Sequence, residues 1–338
     1  VIDADPNRIE LLWRRMYSSG YALRPDPTLV GVMSGIEMAC WDIVGKDAGK
    51  PVYDLLGGRV HERIRTYTYL YPADGRPDVY TDAAQAAEQA AVEVDRGFTA
   101  LKFDPAGPYT AFDGHQPSLD DIDRSVAITG AIREAVGSRA DLLFGTHGQF
   151  TAAGAIRLAQ RLERFDPLWF EEPTQPDQPE EMAKVARQTS IPVATGERLT
   201  TITEFAALAR HQAAAIWQPN LGRCGGLLTG RKIAAIAEAS GCQIAPHLYS
   251  GPILGAANIQ LAATLPNLLI VEGIQDWSGF HAELLTKPIE WEDGHVVPSR
   301  EPGLGVELDE AVALAHPYPE NGDLHLNMAI TTSGNHGT

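Results

Sequence analysis

From about residue 64 onward, the chain alternates between short apolar runs and longer amphipathic runs. The short runs are rich in β-branched and aromatic residues, which is typical of buried strands, and the longer Ala-rich runs have the apolar spacing of helices. The predicted strands cover residues 65–71, 100–104, 142–147, 167–172, 192–197, 214–220, 243–249 and 267–273. The predicted helices include residues 82–95, 119–136, 152–165, 179–188 and 225–239.

The spacing of these elements predicts the topology. From the fourth strand on, one strand follows the next after roughly 25 residues, the size of a compact βα unit. Eight strands that are each followed by a helix indicate an α/β fold built on a (β/α)8 TIM-type barrel over residues 61–275, rather than a doubly wound sheet. Residues 1–60 carry helical patterns without a strand, and residues 276–338 are typical of short strands and turns.

Polar side chains recur where the predicted strands end. The loops that follow the strands of such a barrel build its active-site face, and the barrel interior is filled mainly by branched apolar residues. A polar residue at nearly every strand end therefore favours a functional site over scattered surface polarity. The strand-end residues are Lys102, Asp104, His147, Glu171, Glu172, Glu197, Asn220, His247 and Glu272.

Composition and charge narrow the class of function. The chain has 338 residues, with 27 basic and 44 acidic side chains and a formal net charge of −17. This acidity argues against a nucleic-acid partner, because phosphates are bound by basic surfaces. Three scattered cysteines are too few for a disulfide framework, and neither a signal sequence nor an apolar run of about 20 residues is evident. We expect a cytoplasmic protein without a membrane partner.

Six motifs in order carry a family resemblance. They are GIEMACWDIVGKDAGKPVYDLLGG, WFEEP, IPVATGERL, QPNLGRCGGL, APHLYSGP and EPGLGVEL. Together they resemble the enolase superfamily in its mandelate racemase-like branch, and within it most resemble sugar-acid dehydratases of the galactonate and mannonate type. The resemblance implies that residues 1–60 are the helical part of a capping domain whose N-terminal β-hairpin is not in this sequence. It also implies that residues 276–338 pack back on it, giving a partial α+β capping domain.

The resemblance implies a reaction as well. An aldonate or aldarate binds with Mg²⁺, a side-chain base removes the proton α to the carboxylate, and the charged intermediate is stabilised electrostatically. Loss of the β-hydroxyl then gives a 2-keto-3-deoxy acid, which makes the enzyme a hydro-lyase. The partner is a small-molecule sugar acid, and we expect a homo-oligomer because relatives commonly form one.

The resemblance assigns binding roles to three of the strand-end residues. Glu171 and Glu197 match metal ligands, and carboxylates suit a hard cation such as Mg²⁺. Lys102 matches the first lysine of a K-x-K pair that neutralises the substrate carboxylate, although a long side chain reaching solvent is the structural alternative. Asp104, in place of the second lysine, and Asn220 are further candidates for substrate binding.

Three residues are implied in catalysis. His247 matches the seventh-strand base, Glu272 matches an eighth-strand acid that binds the substrate carboxylate or the enediolate, and His147 matches a third-strand general acid. A histidine is suited to proton transfer because its ordinary pKa lies near neutrality. A capped or satisfied histidine near a turn is the structural alternative for His147 and His247.

Three positions depart from the family pattern. Gly145 stands where the family has an Asp metal ligand, Asn220 stands where an Asp usually orients the seventh-strand His, and Asp104 replaces a lysine base. The third change favours a His-based dehydratase. Two alternatives stay open: an epimerase, racemase or cycloisomerase acting on a similar sugar acid, and a barrel that binds sugar acids without turnover.

Overall fold

The structure is a computed structural model and describes residues 1–19, 26–107 and 114–317. The end of the predicted C-terminal segment, residues 318–338, lies outside the described residues. The helices are α1 Ile9–Ser18, α2 Pro27–Asp47, α3 Val52–Leu55, α4 Ala83–Asp95, α5 Leu119–Val136, α6 Ala152–Leu162, α7 Pro179–Ala186, α8 Ile202–His211, α9 Gly226–Ala239, α10 Pro252–Ala262, α11 Phe280–Glu283 and α12 Glu310–Ala315. The strands are β1 Ile64–Tyr69, β2 Ala100–Phe103, β3 Asp141–Phe144, β4 Trp169–Glu171, β5 Val193–Thr195, β6 Ile216–Trp217, β7 Gln243–Ile244, β8 Val271–Glu272, β9 Trp291–Glu292 and β10 His295–Val296.

The chain divides into two compact units. Unit A comprises Val1–Tyr67, Gly196–Arg210 and Ile216–Ala315, and unit B comprises mainly Thr68–Thr195 and His211–Ala215. The alternation of strands and helices predicted from residue 64 onward is confirmed. Each of the eight predicted strands is present, although each is shorter than its apolar run.

In unit B, four strands pair in parallel in the order of the sequence. β2 pairs with β3, β3 with β4 and β4 with β5, and the end of β1 pairs with β2. The helices between them begin at capping side chains: the hydroxyl of Ser118 accepts a hydrogen bond from the backbone of α5, which ends at Gly137 with a φ of 57°. Since the carboxyl ends of parallel strands lie at one edge, the residues that follow β2, β3 and β4 come together there.

In unit A, the beginning of β1 is paired on both sides. It pairs in parallel with β8 and antiparallel with β10, which forms a hairpin with β9. β6 and β7 are parallel neighbours, and an isolated parallel bridge joins Ile244 to Leu268. β6 and β7 are only two residues long, because Pro219 and Pro246 follow them closely and proline cannot donate to the ladder.

The long helix α2 carries a buried acid. By length and composition alone α2 could cross a membrane, as core helices of soluble proteins also could, so the expectation that no apolar run is long enough is wrong. The Glu37 carboxylate in this helix is buried and accepts hydrogen bonds from Leu227 N and Leu228 N at the start of α9, at 2.8 and 2.9 Å. Glu37 therefore ties α2 to α9 within unit A.

The C-terminal segment contacts the N-terminal helices of unit A. Gly303 N donates to Lys50 O at 3.0 Å, and Leu304 N donates to the Asp42 carboxylate at 2.8 Å. Lys46 forms a salt bridge with Glu307 at 2.6 Å. These contacts agree with a segment that packs back on residues 1–60, and the three domain boundaries themselves stay a prediction.

Candidate active site

Unit B contains a cluster formed by Lys102, Asp104, His147 and Glu171, here called the Lys102 cluster. Its centre is a buried ion pair, in which Lys102 Nζ donates to Glu171 Oε1 at 2.6 Å. The two side chains are 1% and 0% exposed. Trp169 Nε1 donates to the second oxygen, Glu171 Oε2, at 3.0 Å. The buried negative charge of Glu171 is therefore both neutralised and hydrogen-bonded.

Gly145 gives the lysine room to reach Glu171. A Cβ at this position would lie 3.0 Å from Tyr69 Oη and 3.2 Å from Lys102 Cε. The Lys102 ammonium also lies over the Tyr69 ring, 5.0 Å from its centroid. An Asp at residue 145, as the family pattern has it, would require Tyr69 or Lys102 to move.

Asp104 and His147 face each other at the edge of the Lys102 cluster. His147 Nδ1 lies 3.9 Å from Asp104 Oδ2, and Tyr69 Oη donates to the same oxygen at 3.2 Å. Burial raises the pKa of Asp104 to about 7, and the negative charge of Glu171 adds to this rise. The positive charge of Lys102 and the hydrogen bond from Tyr69 lower the pKa, but they offset the rise only in part. An imidazole beside a carboxylate of near-neutral pKa is suited to proton transfer.

Unit A contains a second cluster, formed by Glu197, Asn220, His247 and Glu272 and here called the His247 cluster. All four side chains are buried. His247 Nε2 lies 3.2 Å from Glu197 Oε2 and 3.8 Å from Glu272 Oε2. On the other side of the ring, His247 Nδ1 is 2.8 Å from Asn220 Nδ2. Both ring nitrogens thus have polar neighbours, which disfavours an incidental core histidine.

Backbone groups hold the side chains of the His247 cluster in place. Gly222 N donates to Asn220 Oδ1 at 2.8 Å, and Leu248 N donates to Glu272 Oε2 at 2.6 Å. Because backbone N–H groups are fixed by the fold, the amide and the carboxylate have little freedom to turn. The cluster is preorganised for binding or for chemistry.

The structure brings the predicted residues into these two clusters with one exception. Glu172 is buried beside Glu171 but has a left-handed backbone (φ 39°), and its carbonyl accepts from Gly148 N at 2.8 Å. Sequence reasoning missed Tyr69 and Trp169. Trp169 could have been found, because it stands two positions before Glu171 on a strand and therefore shares its face.

The donor set fits Mg²⁺ only in part. Among residues 1–19, 26–107 and 114–317, no group of three or more His, Cys, Asp or Glu side chains could hold a metal ion. Mg²⁺ commonly keeps several waters and needs only one or two protein carboxylates. Glu171 and Glu197 are buried oxygen donors of this kind, and a carboxylate has lone pairs beyond those that accept the observed hydrogen bonds. Each glutamate therefore fits as a Mg²⁺ ligand by its chemistry.

Comparison with known proteins places the chain in a family. Residues 85–312 match the family described as "Enolase C-terminal domain-like", and residues 1–57 match "Mandelate racemase / muconate lactonizing enzyme, N-terminal domain". The chain is 37% identical to D-galactonate dehydratase of Ralstonia nicotianae over 322 residues, which is 93% of this chain and 80% of that protein. It is 35% identical to D-gluconate/D-galactonate dehydratase of Picrophilus torridus, over 89% of this chain and 75% of that protein.

A solved structure gives the same result. The mandelate racemase/muconate lactonizing enzyme from Sulfitobacter sp. superposes with a TM-score of 0.93 at 56% identity, covering 96% of this chain and 82% of that one. The chain therefore belongs to the enolase superfamily, in its mandelate racemase/muconate lactonizing enzyme family. The fold is α/β, with an N-terminal capping domain and a C-terminal barrel domain, as the sequence predicted. Members of this superfamily are enzymes that typically need a divalent metal.

Proposed function

We propose that the protein is a dehydratase that converts a sugar acid, an aldonate or aldarate, into a 2-keto-3-deoxy acid and water. The observation that carries this proposal is the Asp104–His147 pair, with Nδ1 and Oδ2 3.9 Å apart. Elimination of water requires one proton to leave carbon and one to reach the departing hydroxyl, and an imidazole that faces a carboxylate is suited to move such a proton.

The relatives support the choice of substrate class. D-galactonate and D-gluconate appear in the names of dehydratases that are 35–37% identical to this chain over at least 89% of its length. Six-carbon aldonates are therefore the first substrates to test. We propose that bound substrate weakens the hydrogen bond between Lys102 and Glu171, and that the Lys102 ammonium then neutralises the substrate carboxylate. We also propose that Asp104 and Asn220 contribute to substrate binding.

We propose Mg²⁺ as the metal and Glu171 and Glu197 as its protein ligands. When bound, the ion supplies positive charge that lowers the energy of the dianionic intermediate. Lys102 works in the same direction, since a buried ammonium is poorly screened by solvent. Glu272, whose oxygen is held by Leu248 N, is suited to share a hydrogen bond with the substrate carboxylate or the enediolate.

The reaction balances without an oxidant or reductant. The C2–H bond breaks and its proton moves to an imidazole nitrogen, while the electron pair forms the enediolate. The C3–O bond then breaks, and the oxygen receives a proton and leaves as water. The enol that remains takes a proton at C3 and releases the proton of its C2 hydroxyl, which gives the 2-keto-3-deoxy acid.

A substrate screen with Mg²⁺ tests the proposal. Purified protein is incubated with aldonates and aldarates of different stereochemistry, and 2-keto acids are detected as semicarbazones. We expect a 2-keto-3-deoxy product from at least one aldonate and none from the His147→Gln variant. The proposal fails if wild-type protein forms no 2-keto acid from any of them. Deuterium at C2 of unreacted substrate without a keto product would instead indicate epimerisation, and binding without either change would indicate a non-catalytic barrel.

The remaining proposals concern the setting of the enzyme. We propose a cytoplasmic homo-oligomer that acts on a small sugar acid and has neither a nucleic-acid nor a membrane partner. The acidic composition, with a net charge of −17, supports the absence of a nucleic-acid partner. The homo-oligomer is proposed because relatives commonly form one. Size-exclusion chromatography with light scattering tests the oligomeric state.

A further inference from the structure

We propose that three residues of the N-terminal helices position the His247 cluster by holding the turn that carries Asn220. They are Trp13 of α1 and Ser34 and Glu37 of α2. This inference rests on the proposed dehydratase function and deepens it, because it assigns positioning residues outside the two clusters. These residues act through Asn220, and the proposal gives them no contact with substrate.

The connection between β6 and α9 contains a tight turn, residues 220–226, here called the Asn220 turn. Asn220 O accepts hydrogen bonds from Arg223 N and Cys224 N, both at 2.9 Å. At the beginning of the turn, Asn220 Nδ2 lies 2.8 Å from His247 Nδ1. A displacement of the turn would therefore displace the group that faces the imidazole.

The other end of the Asn220 turn consists of two glycines. Gly225 and Gly226 have φ angles of 98° and 88°. Glycine loses more conformational freedom on folding than any other residue, and it has no side chain that could accept a hydrogen bond. Gly225 is also the N-cap residue of α9, a position where the side chain of Ser, Thr, Asp or Asn commonly accepts from the first N–H groups. This end of the turn must therefore be held by other elements.

Helices α1 and α2 hold both polar groups of the Gly225 backbone. Ser34 Oγ accepts from Gly225 N at 2.9 Å, and Trp13 Nε1 donates to Gly225 O at 3.1 Å. The buried Ser34 hydroxyl donates its own hydrogen to Val30 O at 2.6 Å, which orients its oxygen as an acceptor. A Cβ at residue 225 would lie 2.7 Å from Trp13 Nε1, so this close approach requires glycine.

Glu37 provides the cap that Gly225 lacks. Its oxygens Oε2 and Oε1 accept from Leu227 N and Leu228 N in the first turn of α9, at 2.8 and 2.9 Å. A Cβ at Gly226 would clash with the same carboxylate. Helix α2 therefore fixes the beginning of α9, and with it the end of the Asn220 turn.

Together these contacts connect the N-terminal helices to the His247 cluster inside unit A. The helices fix Gly225, hydrogen bonds within the turn fix its remaining backbone, and Gly222 N fixes the Asn220 amide by donating to Oδ1 at 2.8 Å. A displacement of about 1 Å can cost about 100-fold in rate even when it originates far from the reacting atoms. We therefore expect a loosened turn to slow turnover while the fold is kept.

Amide hydrogen exchange is the first test, and it is independent of activity. In Ser34→Ala the Gly225 amide loses its acceptor, so faster exchange there is expected in any case. The proposal predicts that the amides of Arg223 and Cys224, whose acceptor lies within the turn, also exchange at least about fivefold faster. Mass spectrometry of overlapping peptides across residues 218–228 resolves these amides. Unchanged exchange at Arg223 and Cys224 would overturn the proposal.

Two further variants make this test specific. Trp13→Phe removes only the donor to Gly225 O and should act in the same direction as Ser34→Ala. Asp42 is the matched control, because it lies on α2 but accepts from Leu304 N in the C-terminal segment, at 2.8 Å. Asp42→Ala should leave the turn's exchange and the turnover unchanged. Equal losses of turnover in Asp42→Ala and Ser34→Ala would contradict the proposal, because the general packing of α2 would then explain both.

Turnover in a double-mutant cycle is the second test, with Mg²⁺ and the aldonate that reacts in the screen. Ser34→Ala should lower kcat/KM about tenfold in the wild-type background. In the Asn220→Ala background it should cause no further loss, because Ser34 acts through Asn220. A loss of the same size in both backgrounds would contradict the proposal. Absence of any 2-keto product from the wild type would instead contradict the dehydratase function, and hydrogen exchange would still decide whether these helices hold the turn.

Discussion

Lys102 Nζ and Glu171 Oε1 form a 2.6 Å hydrogen-bonded ion pair with both side chains fully buried. The sequence alone indicated a lysine that neutralises a substrate and a glutamate that binds a metal. The structure shows that these two groups are paired with each other. A substrate carboxylate at Lys102, or a metal ion at Glu171, would rearrange this charge pair.

This pair makes a prediction about stability. Lys102→Met should destabilise the protein by about 3–5 kcal/mol, because it leaves the Glu171 carboxylate buried beside no cation. Lys102→Met combined with Glu171→Gln should recover part of that loss, since no buried charge then remains uncompensated. Urea unfolding of Lys102→Met, Glu171→Gln and the double variant measures the coupling free energy between the two side chains.

A surface pair gives the matched control. Lys184 and Glu181 form a salt bridge whose side chains are 51% and 38% exposed, and Lys184→Met should cost less than about 1 kcal/mol. Equal losses in Lys102→Met and Lys184→Met would mean that the buried pair is not significant for stability.

Glu197 should be required for turnover and for metal affinity. Glu197→Gln keeps the size of the side chain but removes its negative charge, so we expect turnover to fall by at least about 100-fold and Mg²⁺ affinity to fall with it. Equilibrium dialysis against Mg²⁺ measures affinity without reference to activity. Glu238→Gln, at an exposed residue of unit A, is the control. Near-normal turnover in Glu197→Gln would show that the metal assignment is wrong.

Asp104 should make stability fall as pH rises. Burial raises the pKa of Asp104 from 3.8 to about 7, and Glu171 raises it further, while Lys102 and Tyr69 lower it. His147 Nδ1 lies 3.9 Å from the same carboxyl group. Between about pH 4 and 7 the folded protein therefore holds a proton that the unfolded chain has released. The contribution of Asp104 to stability is complete below pH 4 and is lost as pH rises toward 7.

The Asp104→Asn variant isolates this effect. The free energy of unfolding, measured by urea titration from pH 4 to 8, should decline less with pH in Asp104→Asn than in the wild type. Asp74→Asn, at an exposed residue of unit B, should follow the wild type. Identical slopes for Asp104→Asn and wild type would mean that the Asp104 carboxyl is not perturbed.

Glu37 should be required for the attachment of α2 to α9. Its two oxygens accept from Leu227 N, Leu228 N and Trp41 Nε1. Glu37→Gln would place an NH₂ group against at least one of these donors, so we expect a loss of about 1–3 kcal/mol in unfolding free energy. Glu88→Gln, at an exposed helical residue, is the control, and equal stability of the two variants would contradict the anchoring role.

The sequence predicted the fold well because its signals are local. Helix α5 begins and ends at the residues expected, since Ser118 caps it and Gly137 stops it with a positive φ. The strands are shorter than the apolar runs, because burial continues into loops that no longer pair. Proline after β6 and β7 contributes to this shortening.

The residues of the candidate site could be predicted from the sequence, but the contacts that they make could not. That Glu171 and His147 end strands follows from the sequence, whereas the contact between Lys102 and Glu171 depends on two strands 69 residues apart in sequence being brought together. The orientation of Asn220 was equally hidden, because it is set by the backbone N–H of Gly222 rather than by any side chain. Tertiary hydrogen bonds of this kind leave no periodic signal.

The most direct test of the central claim is a proton NMR time course of the wild-type protein in D₂O with Mg²⁺ and the aldonate identified by the screen. Dehydration predicts that the C2 proton signal of the substrate disappears as a 2-keto-3-deoxy acid forms with one deuterium at C3. Deuterium accumulating at C2 of the substrate or its epimer, with no 2-keto-3-deoxy acid at any time, would contradict it.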